Sequence, residues 1–111
     1  MPSDKPSQYG LSENTIAKII KVFAAVPEIA QVILYGSRAK GNFQNGSDID
    51  LVIKGESVSH SQLLALENRL DDLLLPYSMD LSLLHEIGNP ELIGHIQRVG
   101  VVLYEKSDKE F

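Results

Sequence analysis

Tyr35 to Ile53 reads YGSRAKGNFQNGSDIDLVI, and the fold of the chain can be worked out from this stretch. It starts at the end of Gln31–Tyr35, where Val32, Ile33 and Leu34 form a short apolar run of strand character. Gly36 stops that run. Residues 37–47 are rich in Gly, Asn and Ser and read as a loop, with one helical turn at its start. From Asp48 to Lys54 the pattern alternates. Asp48, Asp50 and Val52 face one way, and Ile49, Leu51 and Ile53 face the other. Two residues apart on one strand, Asp48 and Asp50 have Cα atoms roughly 6.5–7 Å apart. Side chains at that spacing can lean onto one cation.

The rest of the chain supplies the layers around these strands. Ser12 is placed to cap a helix carrying Ile16, Ile19, Ile20, Phe23 and Ala24 at helical spacing, and Pro27 stops it. Ser61 to Leu75 predicts an amphipathic helix with Leu63, Leu66, Leu70, Leu73 and Leu74 on its apolar stripe. Ser78 to Leu84 alternates again, with Met79, Leu81 and Leu83 on one face and Ser78, Asp80 and Ser82 on the other. Asn89 and Pro90 start a helix whose apolar side is Leu92, Ile93, Ile96 and Val99. Gly100 closes it, and Val101–Tyr104 is a final short strand. The order α-β-β-α-β-α-β indicates one α/β layered domain. We assign residues 11–105 to it, 1–10 to a flexible lead and 106–111 to a flexible tail.

Composition narrows the class. At 111 residues the chain has room for one domain with a real core. It has no cysteine, which excludes disulfides, thiol nucleophiles and Cys-ligated zinc. A net charge of −5 disfavours a non-specific nucleic-acid binder. No apolar run is long enough for a membrane span, and Met1–Gly10 lacks a signal-peptide core, so the expected location is cytoplasmic.

Aspartate is depleted from strand interiors, yet two strands carry it opposite an apolar face. If the strand of Asp80 pairs with that of Asp48 and Asp50, three carboxylates converge. Hard oxygen donors on a rigid sheet suit Mg²⁺, and with substrate phosphates they can hold two ions, as in polymerase-type phosphoryl transfer. A lone Asp-x-Asp would read as a wet sheet face, Gly36-Ser37 alone as an ordinary turn, and Arg38 and Lys40 alone as solvated loop charge. The joint pattern is the informative one: strand, Gly-Ser, ten residues (38–47), Asp-x-Asp, then Asp80 on a third strand. Gly36 permits close backbone approach to a ligand. Ser37 adds a hydroxyl donor, and amides at the start of a helical turn can point at phosphate oxygens.

These residues resemble the G-S-x10-D-x-D signature of the DNA-polymerase-beta-like nucleotidyltransferases, matched at Gly36, Ser37, Asp48 and Asp50. MDLSLL around Asp80 is similar to the third carboxylate strand, and GHIQRVGVVLYE to the ending of the minimal group that includes MntA-type antitoxins. The resemblance implies a mixed β-sheet with helices packed on one face. It implies transfer of a nucleoside monophosphate, AMP from ATP being favoured, to a hydroxyl. In MntA-like members the acceptor is a tyrosine of a HEPN-domain toxin encoded nearby, so a hetero-oligomer is expected. Carried over by position, Gly36 and Ser37 would hold the NTP β- and γ-phosphates, with Arg38 helping to neutralise the triphosphate. Asp48 and Asp50 would bind two Mg²⁺ ions, and Asp80 the catalytic one while helping to deprotonate the acceptor.

Two alternatives stay open at this stage: a small-molecule acceptor such as an aminoglycoside, and a non-catalytic antitoxin that acts by binding. His60, His85 and His95 fall in different elements and are read as surface or packing residues. Phe43 and Tyr104 are not assigned to base stacking, and Ser82 is equally a site-lining or a wet strand residue.

Overall fold

The computed structural model describes residues 9–44 and 46–106. The assigned lead and tail therefore fall almost wholly outside the described residues. Tyr9 and Gly10, the described end of the lead, lie against the domain, and Tyr9 packs on the core.

Helix α1 (Glu13–Ala24) begins where Ser12 accepts a hydrogen bond from the Thr15 amide at 3.1 Å. It buries Ile19, Val22 and Phe23, so Val22 takes the place expected for Ala24, which is exposed. Strand β1 (Gln31–Tyr35) leads into a single turn, α2 (Ser37–Lys40), and then to β2 (Ile49–Lys54). Helix α3 (His60–Asp71) opens with a capping box: Ser59 and Gln62 exchange side-chain and backbone hydrogen bonds.

Helix α3 is shorter at its C-terminal end than the leucine pattern predicts. The chain leaves the helix after Asp71 through tight turns, Leu73 N–H to Leu70 carbonyl and Leu74 N–H to Asp71 carbonyl. Leu74 then adopts φ 56° and is 87% exposed, so it drops off the apolar stripe. Strand β3 (Met79–Leu83), a 3₁₀ turn (Leu84–Glu86), α4 (Pro90–Val99) and β4 (Val101–Glu105) complete the order. Asn89 caps α4 through the amides of Glu91 and Leu92, with Pro90 at the first helical position.

The four strands lie in the order β3-β2-β1-β4. β1 is antiparallel to β2 and to β4, and β2 is parallel to β3. A parallel pair needs a crossover, and α3 provides it. The sheet is mixed, as expected. α1 and α3 share one face, over Ile49, Leu51, Ile53, Leu81, Leu83, Val32 and Leu34. Helix α4 rests on the other face, where Ile96 packs with Val52 and Tyr35. It therefore shares the face of β2 that carries Asp50. Among the described residues no helix is long and apolar enough to cross a membrane.

Candidate active site

The site forms where β1 ends and β2 and β3 begin. Tyr35, the last residue of β1, pairs in register with Asp50. Asp50 in turn pairs with Asp80 across the parallel β2–β3 ladder. Residues in register on adjacent strands point to the same face, so the two carboxylates stand side by side, about one inter-strand spacing of ~4.8 Å apart at their Cα atoms. Asp48 precedes β2 by one residue. The strand pairing that the sequence left conditional is present.

Gly36 leaves β1 with φ 79° and ψ −159°, a conformation open only to glycine. A Cβ placed there would overlap Asp50 Oδ2. The position thus needs glycine twice, for its backbone and for room beside the carboxylate. Ser37 follows at half-exposure and begins α2, which closes with Gly41 N–H on the Ser37 carbonyl at 2.9 Å. The first amides of such a turn have no partner within it.

The electrostatics join the same residues. The Asp50 carboxyl is raised above its usual range, first by burial, then by the charges of Asp80 and Asp48, while His95 pulls it down. The Tyr35 phenol is raised by burial and by the charges of Asp50 and Asp80, with Ser82 acting in the opposite direction. Three acids therefore share one field, and Asp50 is its crowded centre. Asp48 and Asp80 are exposed, so the carboxylate face is open.

Among the described residues no three carboxylate or imidazole groups stand close enough to enclose an ion unaided. Bare carboxylates that repel one another do not close on each other. The donor set nonetheless fits Mg²⁺: hard carboxylate oxygens on one open face, with positions left for phosphate and water oxygens.

Arg38, expected to help neutralise a triphosphate, is buried beside the Gly-Ser turn. It is 2% exposed, so its guanidinium is enclosed by the fold. Nε donates to the Ser47 carbonyl at 3.1 Å and Nη1 to the Tyr9 carbonyl at 2.9 Å. Its Cζ lies 5.1 Å from the ring centre of Phe43 and 4.9 Å from that of Tyr77. Two carbonyls and two π faces compensate the buried charge and engage the guanidinium within the fold. Phe43, left without a direction by the sequence, covers this guanidinium.

His95, expected to be a surface or packing residue, packs at the site. Its ring meets Tyr35 edge-on, with centroids 6.2 Å apart and planes at 82°. The signal was available: His95 lies three residues after Leu92 and four before Val99, on the packed side of α4. What the sequence withheld is the sheet face that α4 covers. Ser82, on the face of Asp80, lies against Tyr35. His60 instead pairs with Glu86 at 2.8 Å, beyond the far end of β3, and His85 is exposed. Tyr104 packs against the main core.

Among curated proteins none matches the chain. Solved structures do. The fold is similar to that in a crystal structure of a toxin–antitoxin with AMP-PNP, at TM-score 0.66 and 24% identity over 86% of this chain and 75% of that one. It is similar to a complex of tri-AMPylated Shewanella oneidensis HEPN toxin with MNT antitoxin, at TM-score 0.63 and 21% identity over 85% and 72%. A crystal structure of the toxin–antitoxin MntA–HepT stands at TM-score 0.64 and 21% identity over 85% and 73%. At these identities the likeness is one of fold. The family model "Polymerase beta, Nucleotidyltransferase" matches residues 17–109, across every strand of the sheet and the Gly-Ser turn. The chain belongs to the polymerase-beta nucleotidyltransferase family.

Proposed function

We propose that the protein is a Mg²⁺-dependent nucleotidyltransferase that moves AMP from ATP to a tyrosine hydroxyl of a HEPN-type toxin, and so serves as the antitoxin. One observation carries this: Asp50 and Asp80 stand in register on adjacent strands, Gly36 lies against the Asp50 carboxylate, and Asp48 and Asp80 are exposed beside it. The face holds a nucleotide half-site, and the acceptor comes from a second molecule. The solved structures of similar fold support that partner class, since they are toxin–antitoxin complexes and one contains an AMPylated HEPN toxin.

In this proposal Gly36 and Ser37 receive the β- and γ-phosphates, and Asp48, Asp50 and Asp80 hold Mg²⁺. When bound, the metal neutralises charge on the attacking and leaving oxygens. The acceptor oxygen attacks the α-phosphorus in line. A new O–P bond forms, the bond to the β-phosphate bridging oxygen breaks, and pyrophosphate leaves. Asp80, exposed at the edge strand, takes the hydroxyl proton. Arg38 has no place in nucleotide contact. A cytoplasmic setting with the two chains as a hetero-oligomer belongs to the same proposal.

The test is intact mass of the HEPN protein encoded beside this chain after incubation with this protein, Mg²⁺ and each NTP in turn. Whole AMP increments with ATP, absent for Asp50→Asn, are expected. Toxin neutralised without any increment would replace catalysis by binding. Pyrophosphate released with an aminoglycoside alone would replace the protein acceptor by a small molecule.

A further inference from the structure

Asp50 and Asp80 sit within strands, whereas Asp48 lies one residue outside the ladder. Its position depends on the two peptides that flank it. On its C-terminal side, the Ile49 N–H donates to the Ser78 carbonyl at 2.9 Å. On its N-terminal side, the carbonyl of the Ser47–Asp48 peptide itself accepts from Arg38 Nε. The same guanidinium lies over Tyr77, which leads into the strand of Asp80, and bonds Tyr9 ahead of α1.

Gly10 closes the arrangement. It has φ 72°, and a Cβ there would come 2.8 Å from Arg38 Nη1 and 2.5 Å from Phe43 Cε1. Three segments distant in sequence thus meet on one planar cation.

We propose that Arg38 is a positioning residue for the metal-binding carboxylates: a buried clasp that fixes the Ser47–Asp48 peptide and the approach to β3, without touching the nucleotide. This rests on the proposed metal-and-nucleotide site and deepens it. Arg38 is suited to the task because its fork offers donors at fixed angles while both faces stay free to stack. Lysine keeps the charge and loses the planar fork. Groups that orient metal ligands typically shift metal affinity by about 10–100-fold when replaced.

The experiment uses the full chain and needs no acceptor. Mn²⁺ binding in the presence of AMP-PNP is followed by electron paramagnetic resonance, and AMP-PNP binding without metal by calorimetry. For Arg38→Lys we expect Mn²⁺ affinity to fall about tenfold, metal-free nucleotide affinity to stay within twofold, and high Mn²⁺ to restore occupancy. Phe43→Leu, which removes one stacking face from an exposed loop, should shift Mn²⁺ affinity a few-fold in the same direction. It keeps the test available if Arg38→Lys does not fold.

Unchanged Mn²⁺ binding in a folded Arg38→Lys, or in Phe43→Leu where it alone folds, would overturn the clasp. So would an equal loss of nucleotide with and without metal, which would mean a direct phosphate contact. Failure of the wild type to bind Mn²⁺ with AMP-PNP would instead overturn the site reading on which the clasp rests.

Discussion

Asp48 and Asp50 are two residues apart and share a face, yet the fold holds them by different means. Asp50 is held by ladder pairing to Tyr35 on one side and Asp80 on the other. It is half-buried, and its carboxyl is raised by burial and by its two neighbours. Asp48 is exposed, lies outside the ladder, and is oriented through a peptide that Arg38 grips. The same residue type is thus rigid and electrostatically strained at one position, and open and adjustable at the next. The proposed binding of phosphates and metal together has use for both. The enclosed carboxylate sets the frame, and the exposed one can turn on its held backbone to meet what binds.

The largest effects should come from attacking the rigid half. Asp50→Asn removes a donor at the centre of the cluster and should lower transfer by roughly 10³-fold. Gly36→Ala removes no carboxylate but drives a methyl into Asp50 Oδ2 and strains a φ of 79°. It should cost about 1–3 kcal/mol of stability, read from chemical denaturation. Activity should drop about 10²-fold through displaced geometry. A Gly36→Ala protein with wild-type turnover would show that Asp50 is not held as tightly as its register implies.

A subtler pair of variants separates the two modes of support. Asp→Glu keeps the charge and adds one methylene. At Asp50 the extra length is confined on one side, where Gly36 lies against the carboxylate. At Asp48 the backbone is held, but the exposed side chain can swing outward. Asp50→Glu should therefore impair transfer about tenfold more than Asp48→Glu, measured as kcat/KM at saturating Mg²⁺. Equal losses would mean that the ladder gives Asp50 no special rigidity.

Much of the rigid half was legible in the sequence, and the clasp was not, for a physical reason. Strand alternation has a period of two, so Asp48, Asp50 and Asp80 declared their faces in the string. The Gly36-Ser37 turn and its fixed gap were equally local. The burial of Arg38 could not be read there, because its partners, Tyr9, Ser47, Phe43 and Tyr77, come from segments with no common period. Nothing local distinguishes a buried arginine of this kind from a solvated loop charge. His95 was missed differently. Its helical face was readable, but the face of the sheet it would meet is set by the β1–β4 pairing and the placement of α4. Leu74 failed for a local reason that the leucine pattern concealed, since a left-handed turn removes it from the stripe.

The smallest expected effect concerns the protein without ligand, and it tests the strain at Asp50 directly. Its carboxyl is raised above the ordinary value of 3.8, so the folded state holds the proton more tightly than the unfolded chain does. Below about pH 3.8 both states are protonated, and Asp50 imposes no penalty. As pH rises through the raised folded value, the folded state must carry a charge that burial, Asp80 and Asp48 all disfavour. Stability therefore falls over that window and stays lower at neutral pH. Asn at this position does not titrate. Ligand-free Asp50→Asn should melt slightly higher than wild type at pH 7, and the gap should close toward pH 4. Partial exposure of the group keeps the gap small, a few degrees at most. Mg²⁺ with AMP-PNP should reverse the order, because only the wild type gains binding energy at that carboxylate. An Asp50→Asn protein that melts lower than wild type at every pH, with no crossover on adding ligand, would mean that Asp50 supports the fold rather than being strained by it.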